Sequence, residues 1–513
     1  MCAVLLVLAT ACSDDAHDAT DATDASDGPA AVSLDPDGHR IELGPTQLKV
    51  MTFNVWLGGQ LVDIAQVAAA IQASGADVVG LQESDGNARR IADLVGWAHA
   101  DEQHQVISRY PLIAPADSDG YVYVQLAPGQ VVAIANIHLP SDPYGPYLVR
   151  DGEALDAVLA NEQELRVADL EAKAQGWTTA FDQGIPLVLT GDFNTPSFRD
   201  WTDEVVGRRP QIQYAVDWPV AHVVEDMGFV DTYRSVHPDP VEQPGITWTF
   251  GYPFPRLLDG EAQDRIDFVY VAGAASISDS QIVGPAGAGD VAIAVDPYPS
   301  DHLGVVSTIV IDPVEPPVFV SPDEIRVEVG DPIGVHYHAP GGYESDRIVL
   351  VPVGGDPATD GFAMLDTAEA GFFGRITLGT AGQAAGEYEA VLLTVDDAGE
   401  PVEVSRSNFW LVERGAQPTV SVAAEVAAGA SIDVEWTGAY GRKFDWVGIY
   451  AAGDPDMYSY LAFAYTERTV AGTYSFTADD LGEEMLPPGD YIVRLMSDDS
   501  YVSLAQETFT VAG

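Results

Sequence analysis

The chain has 513 residues, 47% of them hydrophobic and 9% aromatic, which is enough for several folded domains. Its 79 acidic residues outnumber 23 basic ones, giving a formal net charge of -56, and only Lys49, Lys173 and Lys443 are lysines. Non-specific nucleic-acid binding needs clustered Lys and Arg, so the composition disfavours that class. It is typical of a highly soluble protein or of one that works in salty or calcium-rich surroundings.

Both cysteines, Cys2 and Cys12, lie in the first twelve residues, so neither a disulfide framework nor a Cys-ligated zinc site is expected. The nine small or apolar residues of 3–11 are too few to span a bilayer but suit a signal peptide. Residues 1–12 resemble a bacterial lipoprotein signal, which predicts a lipid on Cys12. No Lys or Arg precedes the apolar run, and an ordinary secretory leader is the alternative.

Residues 13–44 are predicted to be an acidic, low-complexity linker. The stretch SDDAHDATDATDASDGPAA contains no aromatic residue and cannot bury enough surface to fold. We expect it to act as a tether behind the anchor. No later segment reaches the ~18 apolar residues that a transmembrane helix needs.

Residues 45–312 alternate short apolar runs with helical periodicity, which predicts a layered α/β domain. KVMTFNVW is a strand, and a helix follows in which Asp63 and Gln66 suggest a capping box and Gly75 a stop. ADVVGLQE is a buried strand, and residues 153–175 are predicted to form a long helix. The later strands are VVAIANIHL, PLVLTGDFN, RIDFVYVAG and VVSTIVI.

Beyond the linker Glu315-Pro316-Pro317, helical patterning vanishes and short strands alternate with Gly, Asp and Pro. This region repeats itself: residues 332–357 parallel 431–455, and residues 386–397 parallel 489–500. The period of about 100 residues is that of an immunoglobulin-like sandwich. The pattern predicts two such all-β sandwiches, over 318–414 and 416–513.

Several strands of the 45–312 region end in, or carry near their ends, polar residues that packing alone does not require. Neighbouring strand ends can bring carboxylates, amides and histidines to one point, and hard oxygen ligands suit Mg²⁺, Mn²⁺ or Ca²⁺ better than zinc. A metal ion, an imidazole base and positioned amides are what hydrolysis of a phosphate ester requires. The residues are Asn54, Glu83, His138, Asp192, Asn194, Asp267, Asp301 and His302.

The motifs TFNVW, LQE, NIHLP, GDFNTP, RIDFVY and SDHLGVV, in this order, resemble the endonuclease/exonuclease/phosphatase superfamily. Its members include DNase I-like nucleases, neutral sphingomyelinases and inositol polyphosphate 5-phosphatases. The resemblance implies an α/β four-layer sandwich of the DNase I type and a metal-dependent phosphoesterase. It also implies that Glu83 is the principal Mg²⁺ ligand, with Asn54 beside it and Asp301 ligating directly or through water.

The same resemblance implies catalytic roles for five residues. His302 would be a general base or a phosphate-contacting group, held in its tautomer by Asp267. Asp192 would activate or orient the attacking water, and Asn194 would position the water or the phosphate. His138 would hydrogen-bond a phosphate oxygen and stabilise the charge that develops during transfer.

Other polar and aromatic residues have weaker signals. Arg109 matches the family's Ser-Arg/Lys-Tyr-Pro stretch, and the loop after His138 together with TWTFGYP is placed to shape specificity. FDWVGIYAAGDP resembles SKICH-type immunoglobulin-like domains, which supports the fold rather than a ligand. The residues with an open role are Arg109, His104, Tyr144, Tyr147, Arg150 and Trp248, and those expected to be structural are His336, His338, Asp445 and Trp446.

The pattern as a whole predicts a secreted or surface-anchored phosphoesterase that touches the membrane only through Cys12. Small phosphomonoesters or phosphodiesters are the first expected substrates, lipid head groups the second, and nucleic acid the third. The alternative is an inactive surface adhesion protein whose sandwiches bind glycan or protein. The complete set of polar residues argues against that alternative.

Overall fold

A computed structural model describes residues 32–34, 40–42, 44–115, 120–209, 211–273, 275–339, 346–367, 371–396, 398–442, 444–453, 459–482, 485–497 and 501–513. The leader with Cys2 and Cys12 and most of the predicted linker 13–44 lie outside the described residues, as do parts of the compared repeats. Within the described ranges, none of the helices combines the length and the apolar character that crossing a membrane requires.

The described residues up to 312 contain fifteen strands, and every strand predicted there is present. The strands are β1 Val32–Leu34, β2 Arg40–Glu42, β3 Thr46–Asn54, β4 Val78–Gln82, β5 His99–Asp101, β6 Val106–Ser108, β7 Leu112–Ile113, β8 Val122–Ala127, β9 Gln130–His138, β10 Leu187–Asp192, β11 Val230–Asp231, β12 Asp267–Ala272, β13 Ala275–Gly284, β14 Val291–Ala294 and β15 Gly304–Ile311.

The helices of the same region are α1 Ile64–Ser74, α2 Ala88–Val95, α3 Gly145–Arg150, α4 Leu155–Glu162, α5 Ala168–Ala174, α6 Thr178–Asp182, α7 Pro219–Asp226 and α8 Thr232–Val236. The predicted helix 153–175 consists of α4 and α5 joined by a π-helical turn over Gln163–Val167. Helix α1 begins where the Asp63 carboxylate accepts the Ala65 N–H and ends at Gly75, whose φ of 66° is left-handed.

Two sheets form the centre of this region. One has the strand order β11-β12-β10-β9-β8-β7 and the other β14-β13-β15-β3-β4-β6-β5. Their facing sides share an aliphatic core that includes Val50, Val78 and Ile134. Helices α1 and α2 cover the outer side of the second sheet, and α5, α6 and α7 cover that of the first. These four layers confirm the predicted α/β four-layer sandwich.

A layer of polar side chains interrupts the aliphatic core where the sheets approach each other. Asn136 Nδ2 donates to the Leu81 carbonyl at 2.7 Å, and its Oδ1 accepts from Gln82 Nε2 at 2.6 Å and from Thr190 Oγ1 at 2.9 Å. A Cβ at Gly80 would lie 2.0 Å from Thr190 Oγ1 and 2.5 Å from Asn136 Oδ1. Only glycine therefore allows this approach.

Gly80→Ala is expected to destabilise the protein by about 1–3 kcal/mol, because the added methyl group must push the two sheets apart or break the polar layer. The measurement is the free energy of unfolding in urea. Gly44→Ala is the control, since nothing lies within 4 Å of the Cβ that it adds. Equal stability of the two variants would contradict this account of the sheet contact.

The rest of the chain is almost entirely β-structure. The strands are β16 Phe319–Pro322, β17 Arg326–Glu328, β18 Ile333–His338, β19 Arg347–Pro352, β20 Ala363–Asp366, β21 Phe373–Leu378, β22 Gly386–Val395, β23 Pro401–Val412, β24 Thr419–Val422, β25 Glu425–Val426, β26 Ile432–Thr437, β27 Trp446–Ala451, β28 Tyr460–Tyr465, β29 Gly472–Phe476, β30 Gly489–Met496 and β31 Ser503–Val511, with the short helix α9 Ala478–Leu481.

These strands build two sandwiches with the same connectivity. The first pairs a β16-β18-β21 sheet with a β17-β23-β22-β19-β20 sheet, and the second pairs β24-β26-β29 with β25-β31-β30-β27-β28. Each strand of the first sandwich thus occupies the place of the strand eight later in the second. The identical order agrees with the sequence repeat and with the predicted immunoglobulin-like fold.

The first sandwich packs on the α/β region. Phe319, Phe372 and Phe373 belong to the same buried cluster as Tyr123, and the Phe319 and Tyr123 ring centroids are 6.1 Å apart. Ser321 donates its hydroxyl to the Ala114 carbonyl across the same contact. The two regions therefore share one hydrophobic core.

Candidate active site

The predicted site residues meet at one edge of the paired sheets. In the first sheet Asp192 stands opposite His138 on β9 and opposite Asp267 on β12. In the second sheet β3 and β4 run parallel, so that Asn54 stands beside Gln82. Glu83, Asn194, Asp301 and His302 lie in the chain segments that directly follow or precede these strand ends. The structure thus brings all the predicted catalytic and metal residues to the same edge.

His302 lies between two aspartates. Its Nδ1 is 3.0 Å from Asp267 Oδ2 and its Nε2 is 3.6 Å from Asp192 Oδ2. Burial lowers the pKa of His302, but the charges of Asp267 and Asp192 outweigh burial and raise it well above its usual value. Burial raises the pKa of Asp267 to about 6, against the opposing charge of His302. The arrangement holds a proton on the imidazole and aims Nε2 at Asp192.

Ser300 orients His302, although the sequence analysis did not select it. Its hydroxyl donates to the Asn54 carbonyl at 2.7 Å and accepts the His302 backbone N–H at 3.1 Å. Ser300 thereby links the end of β3 to the start of β15. The sequence could have indicated this role, because Ser300 is the first residue of the SDHLG motif.

His138 and Asn194 form the second half of the site. Asn194 has a left-handed φ of 49°, and its backbone N–H donates to Asp192 Oδ1 at 2.9 Å. Its Nδ2 lies 3.0 Å from His138 Nε2 and 2.9 Å from the Leu139 carbonyl. His138 Nε2 is also 3.6 Å from Asp192 Oδ2, and about a third of its side chain is exposed (34%). Of the two site histidines, His138 is the more accessible to a substrate.

Glu83 and Asn54 lie on the other side of Asp192. Asn54 Nδ2 donates at 3.0 Å to Glu83 Oε1 and at 3.0 Å to Asp192 Oδ2, so one amide links the two carboxylates. Glu83 Oε2 accepts the Leu57 N–H at 2.8 Å, and the left-handed φ of 56° at Glu83 turns the chain after β4. Asn54 Oδ1 accepts the Trp56 N–H at 3.0 Å. Both predicted ligands are held firmly by local hydrogen bonds.

The donor set fits a divalent cation. Asp301 Oδ1 is buried and has no hydrogen-bond partner among the described residues, and a buried carboxylate oxygen in that state is stabilised by a cation. Burial raises the pKa of Asp301, the charge of His302 lowers it, and the charge of Glu83 raises it further. Ligand atoms of Asp192, Asp267 and His302 also lie within 4.8 Å of one another and could hold a metal ion.

Of these two groups, Glu83 and Asp301 fit a hard divalent cation better. His302 Nδ1 is already engaged with Asp267 at 3.0 Å, so that contact explains the proximity of the Asp192, Asp267 and His302 atoms without an ion. Glu83 and Asp301 offer oxygen alone, which is the preference of Mg²⁺, Mn²⁺ and Ca²⁺.

Aromatic residues of the segment 144–150, which is helix α3 with its N-cap rather than the predicted loop, and of the loop around Trp248 border His302. The Tyr144 hydroxyl donates to the buried Asp264 carboxylate at 3.1 Å, and its ring lies 5.4 Å from that of Trp248. Trp248 in turn lies 6.1 Å from the His302 ring. Arg150 stacks on Tyr147 at 4.2 Å. The predicted loop residues are therefore near the site, with Tyr144 buried and Tyr147 and Trp248 half-buried.

A buried ion pair that the sequence analysis missed anchors the loop after His138. Arg166 NH1 is 2.8 Å from Glu162 Oε1, and both side chains are inaccessible to solvent. Arg166 NH2 donates to the carbonyls of Ser141 and Pro143 at 2.7 Å and 3.0 Å. The loop is thus fixed to the helical segment beneath it. An exposed i, i+4 ion pair on a helix has the same spacing, so the sequence gives no sign that this pair is buried.

A second cluster of buried charged residues fixes the position of β12. Arg265 donates to Asp200 at 3.0 Å and to both oxygens of Asp231 at 3.1 Å and 2.7 Å. Arg234 Nε donates to the other oxygen of Asp200 at 2.6 Å. Arg265 precedes Asp267 by two residues, so this cluster fixes the strand that presents the partner of His302.

Two of the residues with an open role pair their side chains with aspartates outside the site. Arg109 is exposed, pairs with Asp77 at 3.6 Å and stands at the opposite end of β4 from Glu83. His104 is buried, with its Nδ1 3.0 Å from Asp101 Oδ1. Both contacts are structural.

The four residues expected to be structural lie in the sandwiches. His336 pairs with Asp323 at 3.2 Å, and His338 Nδ1 faces the Pro317 carbonyl at 2.9 Å. Asp445 accepts the Arg442 N–H at 3.2 Å in a turn. The four are His336, His338, Asp445 and Trp446, the last of which is buried in an aromatic cluster.

Several solved structures are similar to parts of the chain. TDP2 of D. rerio complexed with single strand DNA product is 15% identical, with 52% of this chain and 99% of that chain covered and a TM-score of 0.32. The human OSCAR ligand-binding domain is 16% identical (38% and 97% covered, TM-score 0.23), and fibronectin(III)-like modules of Clostridium thermocellum CbhA are 14% identical (38% and 93%, TM-score 0.16). At these scores none of them bears on what this chain does.

Sequence comparison addresses the α/β region directly. The profile of the Endonuclease/Exonuclease/phosphatase family matches residues 51–302, a range that contains every predicted site residue. An uncharacterized protein of Caenorhabditis elegans, F14F9.5, is 30% identical over 256 residues, which cover 44% of this chain and 79% of that protein. With the four-layer fold and the site geometry, these matches show that the chain belongs to the endonuclease/exonuclease/phosphatase family.

Proposed function

We propose that the protein is a metal-dependent phosphoesterase that hydrolyses phosphomonoester or phosphodiester bonds by attack of water. The observation that carries this proposal is the buried series Asp267–His302–Asp192, with its 3.0 Å and 3.6 Å contacts, at the edge where His138 and Glu83 also converge. A positioned carboxylate beside a charged imidazole can take a proton from water and stabilise a phosphoryl group at once.

Asp192 is the residue that accepts the proton of the attacking water. Its Oδ1 accepts the Asn194 N–H and its Oδ2 the Asn54 amide, so the carboxylate is fixed in place. His302, kept protonated by Asp267, donates from Nε2 toward the negative charge that develops on the phosphate. The half-exposed His138 contacts a further phosphate oxygen. The role of each group follows from its position around Asp192.

Glu83 and Asp301 would hold Mg²⁺, with Asn54 beside them, and Mn²⁺ or Ca²⁺ would accept the same oxygen donors. When bound, such an ion polarises a phosphoryl oxygen and offsets its charge. The unpaired Oδ1 of Asp301 supports this assignment.

We further propose that the enzyme is secreted or surface-anchored, with Cys12 as the site of a lipid. The apolar leader and the acidic stretch behind it support this location. Small phosphoesters come first as substrates and lipid head groups second. Nucleic acid comes third, because a net charge of -56 opposes a polyanionic partner.

The test offers a chromogenic phosphodiester and a chromogenic monoester in parallel to residues 32–513, with EDTA and with Mg²⁺ restored. We expect hydrolysis that requires Mg²⁺, and the ratio of the two rates selects the bond type. If neither ester is hydrolysed and Mg²⁺ leaves the melting temperature unchanged, the inactive adhesion protein becomes the better explanation.

A further inference from the structure

An aromatic pair stands beside the proposed metal ligands. Trp56 follows Asn54 by two residues, and its ring contacts that of Tyr252 at a centroid distance of 4.8 Å and an interplanar angle of 73°. Both rings are half-buried. Aromatic side chains that are neither buried nor fully exposed at a catalytic edge offer contact area to a ligand.

The position of Trp56 is fixed by the same hydrogen bonds that hold Glu83. The Trp56 N–H donates to Asn54 Oδ1 at 3.0 Å, and the next two N–H groups donate to Glu83 Oε2 at 2.8 Å and to the Glu83 carbonyl at 2.7 Å. Trp56 and Leu57 have left-handed φ values of 59° and 47°, a strained conformation that clusters at functional sites. Leu57, the next residue, is 41% exposed.

Tyr252 approaches the site from another loop. Its ring is held against that of Trp56, whose backbone N–H donates to Asn54. The loop is doubled back on itself, since a Cβ at Gly251 would lie 2.7 Å from the Leu257 nitrogen. Leu257 on the same loop is exposed. Trp56 and Tyr252 therefore form one aromatic surface beside Asn54 and Glu83.

The charges around this pair are negative. Asp85 follows Glu83 by two residues, and a Cβ at Gly58 would lie 3.5 Å from the Cβ of Asp85, so this carboxylate stands beside the turn that carries Trp56. Across the described part of the chain, no lysine or arginine forms an ion pair or hydrogen bond with Glu83, Asp85, Asp192 or Asp301. A second anionic group on a substrate would meet repulsion here, whereas an uncharged ring would gain contact with both aromatic residues.

We propose that Trp56 and Tyr252 form a subsite for an uncharged aryl or similarly flat apolar group carried by the phosphoester substrate. The inference rests on the proposed function, because it takes the phosphate to lie against Glu83, Asp301 and His302. Such a subsite limits the expected substrates to phosphoesters with one anionic phosphate and a neutral ring or apolar body. It disfavours the binding of polyphosphorylated substrates.

Calorimetric titration with phosphonates tests the subsite in the presence of Mg²⁺ and without requiring turnover. Methylphosphonate reports the phosphate site alone, phenylphosphonate adds the ring, and 4-carboxyphenylphosphonate adds a second charge. For the wild type we expect phenylphosphonate to bind about tenfold to a hundredfold more tightly than methylphosphonate, as burial of a phenyl ring predicts. The carboxylated ring is expected to bind about tenfold more weakly than the plain ring.

Trp56→Ala and Tyr252→Ala are each expected to bring the phenyl-to-methyl affinity ratio to about threefold or less, because each removes one aromatic contact. Trp56→Ala keeps the backbone donors that hold Glu83. Tyr440→Ala, which truncates an exposed tyrosine of the second sandwich, is the matched control and should keep the wild-type ratio.

The outcomes separate this inference from the proposed function. A wild-type ratio near one, or a high ratio that survives in both variants, overturns the subsite while hydrolysis of the chromogenic esters still supports the enzyme. Tighter binding of the carboxylated ring overturns the neutral-group requirement. Absence of binding by any phosphonate, together with absence of hydrolysis, contradicts the proposed function itself.

Discussion

His302→Ala is expected to lower kcat/KM for ester hydrolysis by about a thousandfold to ten-thousandfold. The imidazole faces Asp192 and is held by Asp267 at 3.0 Å, so its removal takes away both the proton donor and the positive charge beside the phosphate. General acid–base groups contribute about 10²–10⁴ to a rate, and loss of the charge adds to this effect. The measurement is steady-state kinetics on whichever chromogenic ester the wild type hydrolyses.

His104→Ala is a matched control for this variant. His104 is also buried, and its Nδ1 is also 3.0 Å from an aspartate, but that aspartate is Asp101, which is not a site residue. Both variants are expected to lower the melting temperature, and only His302→Ala should lose catalysis. Asp267→Asn keeps the shape of the site and should lose activity by an intermediate factor. Wild-type rates in His302→Ala would remove this residue from the mechanism.

Glu83→Gln is expected to abolish the response of the protein to Mg²⁺. A ligand that binds only the folded state at a hundred times its Kd stabilises that state by about 2.7 kcal/mol, so Mg²⁺ should raise the melting temperature of the wild type and EDTA should reverse the rise. The glutamine keeps the size of the side chain but removes its charge. Activity should fall by about a thousandfold or more, since the ion offsets charge in the reaction.

Glu328→Gln serves as the control for loss of an acidic group, because Glu328 pairs with Arg414 at 3.4 Å in the first sandwich. It should respond to Mg²⁺ as the wild type does. A Mg²⁺-induced rise in melting temperature of equal size in Glu83→Gln would show that the ion binds elsewhere, and Asp192, Asp267 and His302 would then be the next group to test.

The convergence of the polar residues could be predicted because strands impose it. Asp192 and His138 end neighbouring parallel strands, and Asp267 begins the antiparallel neighbour, so their order along the chain predicts their meeting. Loops follow no such regular order, so contacts between loops cannot be predicted in this way. Trp56 and Tyr252 are 196 positions apart in the sequence, and nothing in either local stretch points to the other.

The same distinction applies to the sandwiches. Their repeat predicts that both share one strand order, and they do. Alternation along a strand marks which face is buried but not what covers that face. Alternation alone would therefore place the phenylalanines of the first sandwich in that sandwich's own core. The structure instead places Phe319 against Tyr123 of the α/β region.

That shared cluster has a consequence for how the chain can be divided. The proline-rich linker 315–317 looks like a natural cleavage point, yet separation there would leave Tyr123 and its neighbours uncovered and Phe319, Phe372 and Phe373 exposed. The α/β region and the first sandwich should consequently melt together in one transition. A module boundary for exchange of the C-terminal part is therefore better placed after the first sandwich than at the prolines, although exchange there removes the contact of Phe444 with Lys173 of the α/β region.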